Sequence, residues 1–193
     1  MRRPLAVALT GSIAAGKSEA LRAFARHGAA VFSSDDAVHR LYAEDEELRE
    51  ALRARWGDRV FADGEVDRAA VAAIVFADRG ELDWLESELH PRVRRVVDGW
   101  IAGLRGGPDP PAVAVVEVPL LFEAAGQGRF DTVVVVTASP EVRSARRGRL
   151  AEREARLVPE EEKLRHADFV FVNDGALETL DAFAADVLEA LSS

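Results

Sequence analysis

Apolar positions along this chain follow two rhythms. The first is a set of short continuous runs: Leu5–Thr10 (LAVALT), Ala29–Phe32, Ala112–Val118 (AVAVVEV), Thr132–Thr137 (TVVVVT) and Asp168–Val172. Such runs, mostly rich in β-branched residues, predict strands buried on both faces of a sheet. The second rhythm is helical. Lys17–His27 places Ala20, Leu21, Phe24 and Ala25 on one face, with Gly28 as a stop, and Leu177–Leu191 makes a closing amphipathic helix. Residues 34 to about 105 are dominated by helical patterns, broken at Trp56–Glu65, Gly80 and His90–Pro91, with no strand of any length. Gly106–Pro111 (GGPDPP) is the clearest linker. Strands separated by helices predict an α/β fold with a mostly parallel, five-stranded sheet flanked by helices. Residues 1–33 and 112–193 would build that core, and residues 34–105 a helical insertion. There is no internal repeat.

Composition narrows the classes of function. The 193 residues make one to two domains, and 48% apolar with 31% charged residues is the profile of a soluble globular protein. No apolar run approaches the ~20 residues that span a bilayer, so no membrane partner is expected. The absence of cysteine removes disulfides, thiolate nucleophiles and Cys-ligated zinc, and leaves the redox compartment open; a cytoplasmic protein fits. A net charge of −9 argues against nucleic acid as a partner, so an anionic substrate must be met by local positive features. Of 25 basic residues only Lys17 and Lys163 are lysine. Retaining a lysine at position 17 points to chemistry that wants a compact ammonium.

Lys17 lies in ALTGSIAAGKSEAL, which satisfies Gly-x-x-x-x-Gly-Lys-Ser between a strand and a helix. A secretory signal would need an uninterrupted apolar region and a small-residue cleavage site, but the run is cut at Thr10–Gly11–Ser12. As a phosphate loop the stretch makes physical sense residue by residue. Gly11 and Gly16 let the backbone curl through Ser12, Ile13, Ala14 and Ala15 so that successive N–H groups face one anion. Lys17 bridges β- and γ-phosphates, Ser18 ligates magnesium, and the helix N-terminus, with Glu19 in its first turn, adds partial positive charge. The expected ligand is a nucleoside triphosphate with Mg²⁺. A GTPase would carry Asn-Lys-x-Asp after a strand, and this chain has none.

Further motifs follow in a fixed order: VFSSDDAVH (31–39), Trp56–Gly57, DGEVDR (63–68), Val75–Phe76, His90–Pro91, VPLLFE (118–123), Ala167–Asp168 and Asn173–Asp174–Gly175. Together with the loop they resemble the dephospho-coenzyme A kinase family over nearly the whole chain. The resemblance implies a P-loop kinase fold and transfer of the γ-phosphate of ATP to the ribose 3′-hydroxyl of dephospho-coenzyme A. Residues 34–105 would be the acceptor domain and about 143–160 a short lid. Lys17, Asp35 and Arg146 would be catalytic. Asp35, the second aspartate of the family's motif, would orient or deprotonate the hydroxyl, or simply cap the helix that follows. Ser33 stands where the family has the first aspartate.

Glu117, at the end of a buried run, would hold magnesium through water, or be a polar strand terminus. Arg68, His90, Pro119, Leu120, Leu121 and Glu123 would border the acceptor, although the apolar ones would look the same as core packing. Asn173 and Gly175 would meet adenine, or form a plain turn. His27, His39 and His166 show no metal-ligand spacing. Arg143, Arg146, Arg147, Arg149, Arg153 and Arg156 fall within 14 residues. Such a cluster is a solvated helix face or a set of guanidiniums that neutralise the transferring phosphoryl group, with Arg146 and Arg153 on the nucleotide. The stretch from Arg146 to Arg153 is shorter than the family pattern by roughly two helical turns. Rival readings are a kinase for another nucleoside or nucleotide and a non-catalytic nucleotide-binding module. Oligomeric state, monomer or small homo-oligomer, is open.

Overall fold

In the computed structural model, which describes residues 4–106, 110–124, 126–146 and 157–192, the five apolar runs are strands of one sheet. They are β1 (Leu5–Gly11), β2 (Ala30–Ser33), β5 (Val113–Glu117), β6 (Thr132–Thr137) and β7 (Phe169–Val172), in the order β2-β5-β1-β6-β7 and all parallel. Every residue of β5 and β6 is buried, as two covered faces require. The side-chain period of two sorts the core. Val7, Leu9, Val115, Val134 and Val136 pack with α1 (Lys17–Arg26) and the C-terminal helix Leu177–Ser192, while Ala8, Val133 and Val135 pack with Leu121, Phe122 and Leu164. Helix α1 ends as Gly28 suggested: Gly28 has φ 90°, Ala29 N–H reaches back to Phe24 O at 3.1 Å, and Gly28 N–H to Ala25 O at 3.1 Å.

The chain divides into two compact units, Met1–Ser34 with Gly99–Ser193, and Asp35–Asp98. The second is helical: α2 (Ser34–Glu44), α3 (Glu46–Trp56), α4 (Arg68–Ala77) and the longer part of α5 (Arg79–Arg105). Asp45 caps α3 by accepting from Leu48 N at 2.9 Å, and Asp67 caps α4 by accepting from Ala69 N and Ala70 N at 2.9 and 3.2 Å. Leu41, Tyr42, Leu48, Leu52, Trp56, Val60, Val71, Val75 and Leu85 form its own core. Burial pushes the Tyr42 phenol up to about 12. Trp56 packs edge-on against Trp84 at 4.9 Å and donates to Glu81 at 2.8 Å.

Three expectations change here. Residues 34–105 are not free of strands, because Phe61–Ala62 and Glu65–Val66 pair as the ribbon β3–β4. Asp63 and Gly64 at its turn both have positive φ (51° and 82°), the conformation that suits a tight hairpin. His90–Pro91 does not break a helix, since α5 runs through Pro91. One residue on, the Arg92 guanidinium donates to Glu88 O at 2.9 Å and Glu88 Oε2 at 2.7 Å, a side-chain link along the same stretch of helix. The break near Gly80 falls at Asp78, which caps α5 by accepting from Gly80 N at 2.7 Å. The helical unit ends at Asp98, inside α5, and Trp100 beyond it packs on Phe32 at 5.1 Å. The expected linker overlaps residues 107–109, outside the described residues.

Asp181 on the C-terminal helix holds α1 by accepting from Arg26 Nε at 2.8 Å and contacting His27 Nε2 at 2.9 Å. The Arg26 guanidinium, and after it His27, keep its carboxyl below the usual range. A carboxyl lowered by folding contributes stability that is present above its unfolded value and is lost as pH falls through the folded one. Asp181→Asn should therefore narrow the difference in urea midpoint between neutral pH and pH below the carboxylate range.

Candidate active site

Four strands and one loop converge at the C-terminal edge of the sheet, the edge at which parallel α/β sheets bind ligands. β1 lies between β5 and β6, with Leu9 opposite Glu117 and Gly11 opposite Val136. Gly11 has φ 142°, and a Cβ on it would collide with the Val136 carbonyl. That carbonyl accepts Ser12 N–H at 3.2 Å, which turns the chain out of the strand. Ala14 takes φ 59°, and Gly16 caps α1 at φ 96°, where a Cβ would collide with the Asn173 amide. Gly11 is thus demanded by backbone crowding as well as by φ, and Gly16 by φ, with only the end of the Asn173 side chain against it.

Cations and amides hold the loop's carbonyls. Lys17 Nζ donates to Ser12 O at 2.9 Å and Gly11 O at 3.3 Å. Arg146, the last residue of α6 (Pro140–Arg146), donates through Nη1 to Ala14 O and Ala15 O at 3.3 Å each and through Nη2 to Asn173 O at 3.0 Å. Asn173 Nδ2 donates to Ala15 O at 2.8 Å, and Asn173 N–H to Thr137 O at 2.7 Å. The first turn of α1 offers amides that have no acceptor inside the helix. Its dipole adds positive potential at the same place.

Ser18 and Glu117 lie together, with Ser18 Oγ donating to Glu117 Oε1 at 3.4 Å, and Glu117 is 5% exposed. A hydroxyl and a buried carboxylate, both hard oxygens beside a phosphate loop, suit Mg²⁺, which keeps waters and phosphates as its other ligands.

The expected site residues separate into groups. Gly11 to Ser18, Glu117, Arg146 and Asn173 come together as described. Gly175 is exposed two residues beyond Asn173, whose own side chain is buried against the loop. Glu19 turns away from the loop: its carboxylate contacts Arg22 at 2.9 Å and Arg26 at 3.2 Å, which hold it below the usual range. Leu121 is fully buried in the core against Ala8, Val133 and Val135, so it is packing rather than an acceptor wall. Glu123 is engaged inside the fold, accepting from Val158 N–H and pairing with Lys163 Nζ, both at 3.0 Å. Pro119 and Leu120 are half-buried in the turn that follows β5.

Asp35, Arg68 and His90 belong to the helical unit. Asp35 is exposed in the first turn of α2, which begins at Ser34, so Asp35 is not its cap. Arg68 opens α4, exposed, and His90 is half-buried in α5. Arg147, Arg149, Arg153 and Arg156 lie outside the described residues. Sequence reasoning missed Thr137 and Glu160, which meet Ser12, and the burial of Lys163, 3% exposed at its side chain. The rarity of lysine was the one signal for the last.

Comparison with known proteins agrees with this geometry. The profile of the dephospho-CoA kinase family matches residues 5–179. A dephospho-CoA kinase of Mesorhizobium japonicum is 40% identical over 195 residues, covering 97% of this chain and 96% of that protein. A crystal structure from Thermus thermophilus aligns with a TM-score of 0.81 at 32% identity, covering both chains completely. Dephospho-CoA kinase from Campylobacter jejuni aligns with a TM-score of 0.70 at 26% identity, covering 97% of this chain and 96% of the other.

The crowding at Gly11 has a direct test. Gly11→Ala should lower stability by about 3 kcal/mol or more, because strand pairing or the loop must yield to the added carbon. ATP binding should be lost with it; urea unfolding and calorimetry measure the two effects.

Proposed function

The chain belongs to the dephospho-CoA kinase family and is a phosphotransferase of coenzyme A synthesis, and from that premise we propose which residues perform the transfer. The acceptor is dephospho-CoA and the donor ATP. The ribose 3′-hydroxyl oxygen attacks the γ-phosphorus, the bond to the β–γ bridging oxygen breaks, ADP leaves, and the hydroxyl proton passes to Asp35. Lys17 exchanges its loop carbonyls for β- and γ-phosphate oxygens, and the loop amides with the α1 dipole hold the rest of the charge. Arg146 supplies a guanidinium at the loop, and Asn173 fixes the loop beside the adenine end. Ser18 and Glu117 would hold Mg²⁺, which when bound neutralises developing phosphate charge. Arg68 and His90 are assigned to the acceptor, and the proposed setting is the cytoplasm.

The observation that carries this reading is the loop itself. Two glycines take positive φ, one of them where backbone leaves no room for a side chain, and a lysine ammonium rests on the loop's own carbonyls, within reach of any phosphate seated there. Glu19, Leu121 and Glu123 have no assigned contact with substrate, given the partners described above.

An acceptor panel tests the substrate. With ATP, the protein should convert dephospho-CoA to a product heavier by one phosphoryl group, and should leave AMP, adenosine and shikimate unchanged; turnover of one of those instead overturns the assignment. Asp35→Asn should keep ATP affinity and lower turnover by on the order of 10²-fold or more. Lys17→Ala should lower kcat by about 10²-fold or more, as loss of a preorganised cation at the transferring group does.

A further inference from the structure

Glu160 lies behind the phosphate loop and has no place in the reaction described so far. It opens α7 (Glu160–Arg165), in the segment PEEEK. One of its oxygens, Oε2, accepts from Thr137 Oγ1 at 2.6 Å and also from Ser12 Oγ. Both donors are buried, Ser12 at 7% and Thr137 at 5% exposure, and their hydroxyls are 3.4 Å apart. Ser12 is therefore gripped by three elements: β6 takes its N–H, α1 reaches its carbonyl through Lys17, and α7 takes its hydroxyl.

On one side of Ser12 packing does not supply this hold. A cavity of about 200 Å³ lies beside the loop, lined by Ser12, Ile13, Arg143, Val158, Glu160 and Lys163 among others. With open space on that side, the hydroxyl–carboxylate bonds act together with the Ser12 N–H bond to Val136 O in fixing how the Ser12 peptide is turned. That turn sets where its carbonyl stands, and the carbonyl is one of the two that hold Lys17. α7 itself has a separate anchor, because Lys163 and the Val158 N–H both bind Glu123. Trimming Glu160 should therefore release the loop without releasing the helix.

We propose that Glu160 is a positioning residue for nucleotide binding, acting through Ser12 on the loop and on Lys17 without touching the nucleotide. This rests on the reading of the loop as the ATP site. Calorimetric titration of the full chain with ATP and magnesium tests it. Glu160→Ala should weaken ATP binding about tenfold, the usual cost of losing a charged hydrogen-bond partner. Glu160→Gln, whose amide oxygen still accepts, should stay within about threefold of the parent. Ser12→Ala should match Glu160→Ala, and the double variant should be no weaker than either single one, because both remove the same link. In steady state the loss should appear more in KM for ATP than in kcat, with the thermal midpoint close to the parent's. If the parent protein binds no ATP, the reading of the site fails. If the parent binds and Glu160→Ala binds equally well, or the two single losses add, this inference fails and that reading stands.

Discussion

The closeness of two backbones at Gly11 is the constraint on which the rest of the site depends. β1 approaches β6 so closely that the Val136 carbonyl occupies the space of any side chain. Only that approach lets the carbonyl take Ser12 N–H and turn the chain from strand into loop. The direction of α1, and so of its amides and dipole, follows from the turn. The pairing of Gly11 with Val136 is in turn held by the neighbours of β6, with β7 on its other side and the C-terminal helix packed beneath. A sheet contact thus sets the frame on which Lys17, Arg146 and Asn173 complete an anion site.

The loop's carbonyls are well supplied with donors. Gly11, Ser12, Ala14 and Ala15 each present a carbonyl to a lysine, an arginine or an asparagine. A planar trans peptide points its N–H opposite to its C=O, so donors drawn to the carbonyls orient the intervening amides the other way. Positive charge is stored locally in a chain of net charge −9, where a diffuse field would repel an anionic ligand. Phosphate needs only to displace cations from carbonyl partners a few ångströms away.

The five strands and the two flanking helices were legible because period and composition agree with tertiary burial: TVVVVT has no other comfortable place than the middle of a sheet. The phosphate loop was legible because glycine positions reflect backbone geometry directly. Roles that depend on partners far along the chain were not legible. Glu123 in VPLLFE resembled a site residue, yet its fate was decided by Lys163 and the Val158 amide, 40 and 35 positions away. Leu121 looked the same on paper whether it faced a ligand or Val135. Pro91 was read by its local cost, yet α5 runs through it. Asp63–Gly64 and Asp67 were noticed as a motif, and the structure gives them plain work: a hairpin turn and a helix cap.

The central position of β1 in the sheet also dictates an order of events at the ribosome. Its partners β5 and β6 come from residues 113–117 and 132–137, so the first strand made must wait for more than a hundred further residues before either edge is paired. The helical unit Asp35–Asp98 is continuous in sequence and rich in local contacts, and such segments form early. A nascent chain can therefore complete its helical unit while the glycine loop, already outside the exit tunnel, has no Val136 to shape it. Nucleotide affinity arrives late in synthesis, in one step with the strand that closes on β1. Until then LAVALT is an unpaired apolar edge, and shielding it is a task for the cell rather than for the sequence.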